Sequence, residues 1–323
     1  MDYDVVVVGG GAAGLSGAVA LARSLRSVLV IDAGAPRNAP ADGVHNYLGR
    51  EGVAPRELAA IGRAEAAAYG VEFVDDRVLA VHPGFRVELA DRTVTARRIL
   101  LATGLTDELP DVPGLAARWG RDVLHCPYCH GYEVRGRAVG VLSTGNGMHQ
   151  ALLFSQLSAD VTLFLHTGDE PTADEWAQLR ARGIAVVDGE VAGIEVTDDR
   201  LTGVRLASGR VVPRDAVVVA PRVTATVVPG LGLEPEPVEM LGRVIGSRIP
   251  ADPTGATAVP GVFVAGNATD VSAQVVAAAA AGMRAGVMIN AALVTEETRE
   301  AVERGRVFSP ASERELCTPQ HGV

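Results

Sequence analysis

Val5-Val6-Val7-Val8-Gly9-Gly10-Gly11-Ala12-Ala13-Gly14 is the stretch from which the rest of the chain is read. Its β-branched run predicts a buried strand, and the Ala/Leu-rich segment reaching about Leu25 predicts a helix. Ser27–Ile31 is a second apolar run, closed by Asp32, 21 residues after Gly11. Strand, glycine turn, helix, strand and acid in that order describe a nucleotide-binding unit with parallel-sheet character. Gly9 permits the tight turn, Gly11 lets a pyrophosphate approach the backbone, and Gly14 lets helix and strand pack closely. The helix N-terminus offers amide donors and partial positive charge to phosphates, and Asp32 accepts from ribose hydroxyls. A glycine turn with no ligand is the bland alternative, and it explains none of the ordered context.

The length of 323 residues suggests about two domains. With 48% apolar and 21% charged residues the chain can bury substantial cores, and disorder is not expected over most of it. A formal charge of −10 argues against a nucleic-acid surface, which needs a basic stripe. All 29 basic residues are Arg, so neither Schiff-base chemistry nor a Walker-type phosphate lysine is open to it. Asp2-Tyr3-Asp4 lacks the leader and apolar core of a signal peptide, which makes the cytoplasm the expected location. The most apolar long stretch, Ala277 to Val294, contains Arg284 and Asn290 and is Ala-rich, so no membrane span is expected.

Val78–Val81, Arg86–Leu89 and Thr93–Thr95 read as short antiparallel strands, and Arg98–Ala102 as a buried one. Pro110, Pro113 and Gly114 mark a linker. A second strand–turn–helix–strand unit follows in Ala138–Leu142, a helix near Met148–Leu157, and Val161–Leu165. Further strands are expected at Ala185–Val187, Gly203–Leu206, Ala216–Val219 and Gly261–Ala265, with a long helix over Gln274–Leu293 and a charged tail. The expected fold is α/β, with two Rossmann-like dinucleotide-binding domains, the second inserted in the first. Residues 1–115 and 247–323 form the outer domain and 116–246 the inner one.

Cys126 and Cys129 sit in His125-Cys126-Pro127-Tyr128-Cys129-His130-Gly131. Two cysteines separated by two residues at a helix start can close a small disulfide ring, and the helix terminus favours the thiolate. His130 is placed to move a proton during thiol attack and release. Zinc is a competing reading, but it needs a second pair of ligands, and Cys317 is the only other cysteine. A buried, non-catalytic pair is the third. No metal is expected, and Cys317 is read as a bystander.

Ala102-Thr103-Gly104 beside Gly114, and Pro260-Gly261-Val262-Phe263-Val264-Ala265-Gly266-Asn267, look like two further FAD-binding motifs. With Val44-His45-Asn46-Tyr47-Leu48-Gly49 and the cysteine pair in the same order, nearly the whole chain resembles the low-molecular-weight thioredoxin reductase family. The resemblance implies a three-layer ββα flavoprotein, usually a homodimer. It implies FAD held by Gly9, Gly11, Ala12, Ala13, Gly14, Asp32, Ala33, Arg37, Asn46, Val78, Ala102, Thr103, Gly104, Gly266, Asn267, Gln274 and Val275. Asn267 would reach the ribityl chain, and the helix after Gln274 would aim its N-terminus at the flavin pyrimidine edge. By the same resemblance Cys129 faces the flavin and Cys126 exchanges with substrate.

Three departures bear on function. Ser143-Thr144-Gly145-Asn146-Gly147-Met148 has Ser and Met where the family pattern places Gly and Ala, and the Met is expected to crowd the helix against the strand. His166-Thr167-Gly168-Asp169 lacks the arginine cluster that pairs the 2′-phosphate of NADPH, a loss of about 1.5–3 kcal/mol per charged hydrogen bond. His130 replaces an acid. Together these resemble the thioredoxin-reductase-like dithiol oxidases that close the disulfides of gliotoxin, holomycin and related natural products. The expected activity is oxidation of a small-molecule dithiol through Cys126, Cys129 and His130, with O2 as acceptor giving H2O2, in natural-product biosynthesis. The rival is an NAD(P)H-dependent reductase of thioredoxin or another disulfide, with Asp169 serving a ribose if NADH is preferred. A flavin-binding redox sensor without turnover is a third reading, against which the intact cysteine pair argues.

Overall fold

The computed structural model describes residues 2–145, 147–303 and Arg314; Asn146, Cys317 and the rest of the tail lie outside the described residues. Strands Asp2–Val8 and Val28–Asp32 run parallel, with Val5 beside Val28 and Val8 beside Ile31. Because successive side chains leave a strand on opposite faces, Val6, Val8, Leu29 and Ile31 enter one core while Val5, Val7, Val28 and Val30 enter another. Glu72–Asp75 extends the sheet on one side and Thr93–Leu101 on the other. The two segments expected at Thr93–Thr95 and Arg98–Ala102 are one strand of nine residues. Its first part pairs antiparallel with Arg86–Glu88, and its last part pairs parallel with Val262–Val264. Periodicity cannot reveal that join.

Helix Ala12–Ala22 lies on one face and packs against Val275–Glu303, which runs past its expected end at Leu293. The approach is close: a Cβ on Gly282 would stand 2.5 Å from the Ala13 carbonyl carbon, so only hydrogen fits. The long helix has the length and composition of a membrane span, but it turns Ala278, Gly282, Ala285 and Ile289 into the core. Its last turns are tied down where Arg26 and Arg97 meet Glu297. Helix Pro55–Ala67, opened by its proline, adds to the elements expected from the sequence.

The inner unit repeats the plan. Parallel strands run in the order Ala185–Val187, Val161–Phe164, Val139–Leu142, Ala216–Val219, Val123–Leu124. Helices Gly147–Phe154 and Ala173–Ala181 contribute Ala151, Phe154 and Leu179 to the core on one face. The antiparallel strands Val191–Thr197, Arg200–Leu206 and Val211–Pro213 cover the other. The two-unit α/β architecture is as expected.

The chain leaves the outer unit along Leu105–Glu108 and returns along Arg222–Ala225, and these two strands pair antiparallel with each other. Ala225, Val228, Leu231, Leu233 and Ile249 then join the outer core. These buried side chains put the return well before the expected boundary at residue 247. The hairpin Glu236–Met240 and Arg243–Arg248 completes the connecting sheet.

Candidate active site

A cleft of about 2110 Å³ runs from the first glycine turn to the cysteine pair. Gly9 sits at φ +106° against the Ala102 backbone, where a Cβ would stand 2.8 Å from the Ala102 carbonyl carbon. Gly11 has nothing within 4 Å of its own Cβ position and caps its helix without a side chain, so first-turn amides stay open to the cleft. Asp32 accepts from the Gly10 N–H through Oδ1 at 2.9 Å, leaving its second oxygen for a sugar hydroxyl. Open glycine, unspent amides and a half-used carboxylate fit the pyrophosphate and ribose of a dinucleotide.

Most residues expected around the flavin converge on this cleft: Gly9, Gly11, Ala12, Ala13, Asp32, Ala33, Arg37, Val78, Ala102, Thr103, Gly104, Gly266, Asn267, Gln274 and Val275 line it. Gly14 does not; it packs its bare face on the Gly9 carbonyl behind the turn. Asn46 is flanked by His45 and Tyr47, which do line it. Asn46 adopts φ 60° and donates from Nδ2 to the Tyr128 carbonyl at 2.7 Å. Glu51 fixes it there, accepting the Asn46 N–H at 2.9 Å and pairing with His45 Nδ1 at 2.6 Å. The Val44–Val53 loop therefore clamps the cysteine turn. Asn267 lines the cleft, but Nδ2 is used on the carbonyls of Asp270 and Ala273, leaving its Oδ1 for a ribityl hydroxyl.

Cys126 caps the single helical turn Pro127–His130, whose leading proline has a φ already suited to that position. Both thiols are free and their sulfurs lie 2.7 Å apart on the cleft wall, beside His130. The Cys129 S–H donates to Cys126, the N–H groups of Tyr128 and Cys129 add to this, and Arg37 contributes a positive field; the Cys126 thiol is drawn down to about 7. The same hydrogen bond, together with burial, pushes Cys129 up. Arg37 is itself held by Asp107 through bonds of 2.7 and 2.6 Å.

Burial pushes His130 below the usual imidazole value, and its buried Nε2 has no hydrogen-bond partner. It is thus a neutral base at physiological pH with one nitrogen unspent. His125 is also lowered by burial, and its Nδ1 lies 3.1 Å from the Val219 carbonyl oxygen. The Cys126 thiolate forms as pH rises through about 7, against about 8.5 for an unperturbed cysteine. Iodoacetamide labelling of the reduced protein is expected to modify Cys126 with that lower midpoint, Cys129 lagging. A midpoint above about 8 contradicts the assigned hydrogen bonds.

The second glycine turn is differently furnished. Ser143 is buried beneath Gly147 and Gly168, and Met148 packs into the inner core rather than standing off the helix. Arg243, from the connecting hairpin, lies across Gly145, with Nη1 3.4 Å from where a Cβ would be. Its guanidinium pairs with Asp169, the carboxylate considered for a nicotinamide ribose. His166 turns back to accept the Val191 N–H at 3.0 Å. Sequence reasoning passed over Arg243, which reaches Gly145 and Asp169 across a long separation, and the Glu51 clamp, whose contacts with His45 and Asn46 depend on the fold of their loop.

Residues 3–282 match the model of the family described as pyridine nucleotide-disulphide oxidoreductase. The chain is 31% identical over 315 residues to thioredoxin reductase sirT of Leptosphaeria maculans, covering 89% of this chain and 93% of that protein. It is 37% identical to thioredoxin reductase tcpT of Claviceps purpurea over 186 residues, 53% of this chain and 58% of that one. Among solved structures, HlmI matches with 42% identity and a TM-score of 0.84 over 98% of both chains. An oxidoreductase from Agrobacterium tumefaciens matches with 34% identity and a TM-score of 0.84, over 91% of this chain and 99% of that one. Glycine cradle, thiol pair and these matches agree: the chain belongs to the pyridine nucleotide-disulphide oxidoreductase family, as a thioredoxin-reductase-like flavoprotein enzyme.

Proposed function

We propose that this protein oxidises a small-molecule dithiol to a disulfide in natural-product biosynthesis, with FAD as cofactor and O2 as final acceptor. The observation that carries the reading is the free pair Cys126 and Cys129, 2.7 Å apart, opening on the cleft that holds the dinucleotide cradle. The Arg243–Asp169 pair over the second glycine turn favours an oxidase over a nicotinamide-dependent reductase. Similarity to sirT, tcpT and HlmI supports it further. An exposed apolar stripe on the long helix, Val276, Met283, Val287 and Val294, supports a homodimer as part of the same proposal.

Catalysis starts from the oxidised pair. A substrate thiolate attacks Cys126 Sγ, breaking the Cys126–Cys129 bond and leaving Cys129 as thiolate. The second substrate thiolate attacks the substrate sulfur of the mixed disulfide, closes the product ring and expels Cys126 as thiolate. A low thiol pKa speeds departure, and with Cys129 ionised the Tyr128 and Cys129 N–H groups and the Arg37 charge are what still favour the departing Cys126 thiolate. Neutral His130 takes the substrate proton on Nε2. Bound FAD supplies the sink for the two electrons that leave the dithiol, and O2 removes them with two protons as H2O2.

Anaerobic dithiothreitol is expected to bleach the visible flavin band, and readmitted air to restore it with one H2O2 per dithiol. NADPH or NADH added anaerobically to a fresh sample is expected to leave the band intact. Bleaching by either nucleotide without bleaching by dithiol rejects the oxidase.

A further inference from the structure

The hairpin Glu236–Met240 and Arg243–Arg248 takes no part in thiol exchange, yet its tip reaches the cleft. Met240 and Arg243 are cross-strand partners, so their side chains leave the same face of the hairpin. Arg243 lies across Gly145 of the inner unit, and Met240 lines the cleft. A register shift between Val238 and Glu239 bends the hairpin just before its tip, as bulges do where a side chain must be re-aimed.

Helix Gly147–Phe154 spans the distance from the Gly145 turn to the cysteines. His149 and Leu153, four residues apart, share one face of it and line the cleft. Leu157, just past the helix end, packs against Gly131, which closes the cysteine turn. At 1.5 Å per residue the helix is about 12 Å long, so that face runs from the thiols to where Arg243 is seated. Met240, Leu153 and His149 are not among the residues that cradle the dinucleotide, and the occupant of this end of the cleft is therefore the substrate. An exposed methionine adapts its shape to an apolar guest and offers no strong polar partner.

We infer that Met240 is a specificity-determining residue, and that the dithiol carries an apolar body lying between Met240 and the Leu153 face of the helix. The inference rests on the proposed dithiol oxidation, and it adds the substrate class.

The FAD-loaded enzyme is compared with its Met240→Gln, Met240→Leu and Leu241→Asn variants, with flavin content and melting temperature recorded for each. Leu241 is the control: it is 71% exposed, does not line the cleft, and sits at φ 52°, which asparagine adopts readily. The probes are dihydrolipoamide and 1,3-propanedithiol, which share the reacting dithiol and differ by an apolar chain. Oxygen uptake gives kcat and KM for both. In Met240→Gln the KM for dihydrolipoamide is expected to rise about fivefold, while the KM for propanedithiol and both kcat values change less than about twofold. Met240→Leu and Leu241→Asn should behave as the wild type. An unchanged KM ratio in Met240→Gln overturns the inference, as does a fall in kcat alone. The same loss of preference in Leu241→Asn assigns the effect to the fold of the hairpin and overturns it too. If the wild type oxidises neither dithiol, the proposed function fails by itself. Calorimetric binding of lipoamide then reads Met240 independently: about fivefold weaker binding in Met240→Gln supports its role, and equal affinity refutes it.

Discussion

Replacing Cys129 with Ser is expected to slow dithiol-driven flavin reduction by about a thousandfold or more while the flavin stays bound. Without the second sulfur no disulfide forms at Cys126, and a substrate thiolate meets no electrophile. The substitution is nearly isosteric, and the Ser hydroxyl still donates where the Cys129 S–H does now. Cys126 should therefore keep its value of about 7 in Cys129→Ser and lose much of the depression in Cys129→Ala. This separates loss of the redox partner from loss of the hydrogen bond. Offered the disulfide product, Cys129→Ser should accumulate a mixed disulfide at Cys126, seen as a mass increase of the intact protein. Cys126→Ser should capture nothing. Capture by Cys126→Ser, or undiminished flavin reduction in Cys129→Ser, would reverse the two roles.

What could be read from the sequence was local. Gly9, Gly11 and Asp32 belong to one strand–turn–helix–strand unit, so spacing alone brings them together, and Cys126 and Cys129 share a single turn. Asn46 reads as equally local, but its Nδ2 donates to a carbonyl 82 residues away. That contact depends on how the Val44–Val53 loop meets the inner unit. The same limit hid Arg243, whose reach to Gly145 depends on the register of the Glu236–Arg248 hairpin. Residues 225–249 carry few apolar positions with a clear period, and their membership of the outer core emerges only from packing. Burial, which keeps His130 neutral and leaves Gln150 unpaired, is a property of the assembled cleft.

Two glycines of one motif are expected to fail in opposite ways when enlarged. At Gly11 the backbone is extended, φ −77° and ψ −175°, a conformation open to any residue, and nothing lies within 4 Å of a new Cβ. Gly11→Val should fold and melt like the parent apoprotein. Its branched side chain, however, would occupy the space through which a pyrophosphate reaches the first-turn amides. With charge-assisted bonds worth about 1.5–3 kcal/mol each, FAD affinity should fall at least about 100-fold, and the protein should purify colourless. At Gly14 a Cβ would meet the Gly9 carbonyl and lie 3.2 Å from Val7 Cγ1. Backbone against backbone cannot yield as a flexible side chain can, so helix Ala12–Ala22 must lift from its strand. Gly14→Val should lose about 3 kcal/mol or more of stability as well as the flavin. Apoprotein melting and the ratio of visible to ultraviolet absorbance read the two losses separately. A yellow Gly11→Val, or a Gly14→Val apoprotein of parental stability, would mean that this turn does not cradle the cofactor as its geometry implies.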